Sequence, residues 1–83
     1  MLNYEKRLVE LQATAYHNVA VEFEHLSKAE ETVKFYLKAF TVANKYLGKD
    51  HTMTILAQKS WFSAKVNIAK HSMEEKEKHL LRI

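Results

Sequence analysis

His71, Glu75 and His79 recur at four-residue intervals, so on a helix they share one face. Two imidazoles and a carboxylate could ligate a metal ion. The set lacks a fourth ligand and the H-E-x-x-H spacing, so it reads as a surface charge pair with a second histidine, and no metal is expected. Ser27, Ser60, Ser63 and Ser72 would act as nucleophiles only beside a positioned base, and none lies in a G-x-S-x-G elbow. Cysteine is absent, which removes disulfides, thiolate metal sites and cysteine nucleophiles. A single glycine cannot build a phosphate-cradling loop. Trp61 beside Phe62 could stack on a ligand, but such a pair serves more often as core packing or an interface anchor. These residues predict neither an enzyme nor a cofactor.

The elements that carry these residues must be helices. The chain has 83 residues, of which 47% are hydrophobic and 28% charged, so it has the means to fold. It contains no proline, and with one glycine it lacks the turn residues of an all-β domain. No apolar run approaches the roughly 20 residues of a membrane span, and no signal peptide is visible. The net charge of +3 is spread among both signs. Lys34, Lys38, Lys45 and Lys49 read as the wet face of an amphipathic helix, which disfavours nucleic acid as a partner.

Three helices are expected within one domain, residues 1–83. Helix 1 runs from about Asn3 to Leu26. Leu8, Leu11, Ala15, Tyr16, Val19, Ala20, Phe23 and Leu26 form its apolar stripe. Ser27 followed by Glu30 predicts a capping box. Helix 2 runs from about Lys28 to Leu47, with Ala29, Val33, Tyr36, Phe40, Ala43 and Leu47 in step. Phe35, Ala39, Val42 and Tyr46 widen that stripe enough for contact on two sides. Gly48 is placed to cap the helix with positive φ. Asp50 or Thr52 is expected to cap helix 3, which runs from about Met53 to Leu80. Phe62, Val66, Ala69 and Met73 form one stripe on it; Leu56, Trp61, Ala64 and Ile68 form a looser one. The apolar ending Leu80, Leu81, Ile83 points to contact with another chain or to a chain cut mid-structure.

The segment from Ala13 to Leu47 resembles a tetratricopeptide repeat. Tyr16, the Val19–Ala20 pair, Phe23, Tyr36 and Ala39 fall at the large and small positions of that helix–turn–helix unit of about 34 residues. Thr32 stands where the family has alanine. The ending Leu47-Gly48-Lys49-Asp50-His51 is similar to the extended repeats of the kinesin light chain type, with Thr52 in place of their proline. Asn18, in Tyr16-His17-Asn18-Val19-Ala20, matches the asparagine of the family's N-L-A motif. Helix 3 fits a following repeat less well and reads as a divergent or capping helix.

The resemblance implies an all-α fold: an antiparallel repeat-like hairpin plus a third long helix, either a fragment of a right-handed α–α superhelix or a three-helix bundle. It implies a non-catalytic scaffold or adaptor that holds a peptide or partner helix. It also makes Thr14, His17, Asn18, Val21, Glu24 and His25 the groove-lining face of helix 1. There the Asn18 amide, both donor and acceptor, could clamp a peptide backbone. The setting it implies is cytoplasmic, with the cytoskeleton or cilium as candidates. A second reading is a structural subunit that self-associates through helix 3, with Trp61, Phe62, Leu80 and Leu81 as the candidate interface. A three-helix domain of the microtubule-interacting and trafficking type is a variant at the level of fold.

Overall fold

The computed structural model describes residues 2–81. They form three helices, α1 (Asn3–His25), α2 (Ala29–Leu47) and α3 (Thr52–Leu81). The architecture is the all-α hairpin plus long third helix expected from the sequence. The middle helix is contacted from two sides, by α1 and by α3, while α1 and α3 meet only along a short seam. That is the arrangement the wide apolar arc of α2 predicts. None of these helices is long and apolar enough to cross a membrane.

Alanines make the joints. Ala13, Ala20, Ala39, Ala43, Ala57 and Ala64 are buried, together with Thr32, Thr54 and a single large side chain, Tyr36. Methyl groups at the contact let helix axes approach closely. The larger apolar groups then flank the joints. Tyr16 and Phe23 pack on Phe35, with ring centroids 6.2 Å and 5.4 Å apart, and Trp61 stacks on Phe40 at 6.1 Å.

Part of the expected α1 stripe and one of the two α3 stripes turn outward. On α1, Leu8, Leu11, Ala15, Val19 and Leu26 are exposed, whereas Tyr16, Ala20 and Phe23 of the same stripe pack inward as expected, joined by Val9 and Ala13. On α3, the Phe62–Val66–Ala69–Met73 stripe is exposed, and the looser one packs through Trp61, Ala64 and Ile68. In both helices the small residue settles the face, because only there can the neighbouring backbone come close.

The α1–α2 corner is not a capping box. The N-cap of α2 is Lys28, with no side-chain capping bond. Ser27 instead adopts φ +58° and ends α1. Its N–H donates to the Glu24 carbonyl (3.0 Å), and the Lys28 N–H donates to Phe23 (2.9 Å), which is a Schellman closure. A left-handed residue with a Cβ costs about 1–2 kcal/mol. Ser27→Gly should therefore raise stability by roughly 0.5–1 kcal/mol in chemical denaturation, less than the full strain because glycine also loosens the unfolded chain. A destabilised variant would refute this geometry.

At the other corner Gly48 caps α2 with φ +89°. The cap of α3 is neither Asp50 nor Thr52. It is His51, whose Nδ1 accepts from the Met53 N–H at 3.1 Å while its carbonyl accepts from the Ile55 N–H at 3.0 Å. With Nδ1 accepting, the ring proton sits on Nε2, which faces Glu10 Oε1 at 3.4 Å. One half-buried imidazole thus ties α1 to the start of α3. His51→Ala should cost about 1–2 kcal/mol and His51→Asn less, since asparagine can still cap. Equal losses in urea melts would count against the capping role.

Beyond Ile68 every described side chain of α3 is exposed. At 1.5 Å per residue α3 is about 45 Å long and α2 about 28 Å, so α3 overhangs the hairpin. The molecule measures 61 × 23 × 13 Å.

Candidate functional site

The six residues of the expected groove face do not lie on one open surface. Asn18 and His25 are exposed. His17 is half-buried: its ring meets Tyr36 edge-on at 5.2 Å, and its Nε2 lies 3.4 Å from the Ser60 hydroxyl on α3. Val21 packs against the cluster of Ala20, Tyr36 and Ala64. Thr14 donates to the Glu10 carbonyl at 2.8 Å and sits 3.9 Å from the Met53 sulfur, again on α3. So Thr14, His17 and Val21 run along the seam with α3.

Glu24 is the member of the set that lines a cavity. Where the α1–α2 corner and α3 diverge, an open cleft of ≈ 480 Å³ forms between Glu24, Lys28 and Thr32 on one side and Asn67, Ile68 and His71 on the other. This lies within the range of about 300–1,000 Å³ typical of ligand pockets. Ala64 and Ile68 supply apolar surface, and the charged and amide groups supply a polar rim. Glu75, also on the rim, lies 3.3 Å from His71 Nε2. Burial first, and the Glu24 carboxylate second, raise the Tyr36 phenol above its ordinary pKa of 10.0.

Sequence reasoning singled out His71 and Glu75 for another chemistry and missed Asn67. The ladder Asn67–His71–Glu75, at four-residue spacing, was the available signal. Among the described residues no cluster of three potential metal-ligating side chains occurs, and the His79 side chain lies outside them.

The candidate interface residues of α3 separate. Trp61 faces inward, half-buried on Phe40, with the Lys65 ammonium 4.3 Å from its ring centre. Its Nε1 is buried without a hydrogen-bond partner among the described residues. Phe62 and Leu80 point outward, 65% and 69% exposed. The Leu81 side chain lies outside the described residues. Lys34, Lys38, Lys45 and Lys49 are exposed, with Lys38 lying over the Phe35 ring at 4.7 Å.

Compared with known protein families, characterised proteins and solved structures, nothing matches this chain.

Proposed function

We propose that the chain is a non-catalytic protein–protein interaction module of tetratricopeptide type, which holds an extended peptide or a partner helix. The observation that carries this reading is the cleft between the α1–α2 corner and α3. Its apolar floor suits one anchoring side chain, and Asn67, Glu24 and Lys28 on its rim suit the backbone and charges of a peptide. The exposed amide of Asn18 would extend the contact along α1. On the resemblance alone, the setting we propose is a cytoplasmic assembly, cytoskeletal or ciliary.

Selection of peptides from a displayed random library on the immobilised chain tests this. Peptides should emerge that lose at least tenfold in affinity on Asn67→Ala or Glu24→Lys while helix content by circular dichroism is unchanged. No enrichment, or binders indifferent to both substitutions, would remove the cleft from consideration. Loss on Asn18→Ala would add the clamp. A second reading, self-association, is favoured by the outward apolar stripe of α3, which the hairpin leaves uncovered.

A further inference from the structure

Both outer helices carry an apolar face that none of the described residues covers. On α1 the uncovered face is Tyr4, Leu8, Leu11, Val19 and Leu26, from 39% (Val19) to 68% (Tyr4) exposed. On α3 it is Ile55, Phe62, Val66, Met73 and Leu80, from 40% (Ile55) to 70% (Met73). At 100° per residue, the stripe is centred about 145° around the helix from Ala13 and Ala20 on α1 and about 165° from Ala57 and Ala64 on α3. The two stripes have similar lengths, about 33 Å on α1 and 38 Å on α3.

Their charged flanks are opposite. Within about 80° of the stripe centre, α1 carries Glu5 and Glu22, with Arg7 just beyond that arc. The same arc on α3 carries Lys59, Lys65, Lys70 and Lys76 against Glu77 alone. Two α3 faces brought together would oppose lysines to lysines. An α3 face brought to an α1 face matches apolar length with apolar length and base with acid.

The exposed area comes close to what two contacts need. A folded monomer of 9.7 kDa should expose about 5,100 Å². This chain exposes 6512 Å², an excess of about 1,400 Å². A standard interface buries about 800 Å² per partner, so the excess approaches what two such patches would cover.

We propose that the chain associates head to tail with further copies of itself, the outer face of α3 on one copy docking on the outer face of α1 on the next. This rests on the self-association reading and is independent of the peptide cleft. The contact is heterologous, so each added copy presents a fresh face and the assembly grows into a ring or an open row.

Sedimentation or light scattering across a concentration series tests it, using the full 83-residue chain. The wild type should pass from 9.7 kDa to species larger than a dimer. Leu11→Asp, which spoils the α1 face, and Phe62→Asp, which spoils the α3 face, should each be monomeric with unchanged helix content, because both side chains are exposed in the single chain. An equimolar mixture of the two variants should form a one-to-one dimer and stop there, since it holds one intact face of each kind. A wild type that stays monomeric at every concentration overturns self-association altogether. A Leu11→Asp chain that still dimerises, or a mixture that stays monomeric, overturns the head-to-tail pairing while leaving self-association standing. Raising salt should weaken the assembly, as charge-matched flanks require.

Discussion

Tyr36→Ala should bring the chain close to unfolding at room temperature. Among the described residues Tyr36 is the one large side chain in the buried core; it clusters with Ala20 and Ala64, and Val21, Val33, Phe35, Trp61 and the His17 ring pack around it. Removing a buried aromatic ring costs about 3–5 kcal/mol. Domains of this size have about 5–15 kcal/mol in all, and so thin a core places this one toward the low end. The thermal midpoint should fall by roughly 15–30 °C. Tyr36→Phe keeps the ring and should stay folded. That variant also isolates the hydroxyl. The folded state raises the Tyr36 pKa above 10.0, so it favours the neutral phenol. The associated stability is complete below the unfolded pKa and is lost as pH rises through the folded one. The wild type should therefore lose midpoint temperature more steeply than Tyr36→Phe above pH 10, and parallel curves would show that the phenol is not held neutral by burial.

Ala20→Leu should be the next most damaging change. Ala20 is fully buried on α1 and joins the cluster formed with Tyr36 of α2 and Ala64 of α3. Three added carbons there must displace a helix. Overpacking of this kind costs about 1–3 kcal/mol, and more where the neighbours are backbone-close. Trp61, the only tryptophan, packs against the same cluster, so its emission should shift as α3 gives way. Ala15→Leu is the control: Ala15 is exposed, and the change should stay within about 0.5 kcal/mol. If the two variants behaved alike, the packing face of α1 would be wrongly assigned.

That control repeats the point at which sequence reasoning went astray. Helix number and most boundaries follow from long apolar periods broken at Ser27 and Gly48, and these were legible. So was the two-sided burial of α2, because its apolar arc is wide. The packed faces of α1 and α3 were legible only in part. Hydrophobicity drew attention to Leu8, Leu11 and Phe62, which are exposed; Ala20 and Ala64 stood in the expected stripes and are buried, while Ala13, which contributes little hydropathy but permits close approach, was missed. Ser27 misled for a related reason: a serine between two helices can cap the second or close the first, and only backbone geometry separates the two. The cleft was half legible. Glu24 was singled out, but its companions Asn67 and His71 belong to a helix whose orientation the sequence left open. His51 as cap of α3 is a local contact in which an imidazole takes the place of the usual Asp or Thr, and its partnership with Glu10 is a contact across the chain that no local spacing encodes.

The overhang of α3 has a dynamic consequence. From Ala69 onward the described residues make hydrogen bonds only within the helix itself, and an isolated stretch of 12 or so residues is near the balance point between helix and coil in water. Protection of its amide protons against exchange with solvent should therefore decline along α3, high at Thr54 and Ala57 and low past His71. Whatever grips that far end must first hold it helical, so part of the binding free energy goes into ordering it. The same coupling makes the exchange profile a reporter: occupancy of the far end would flatten the gradient.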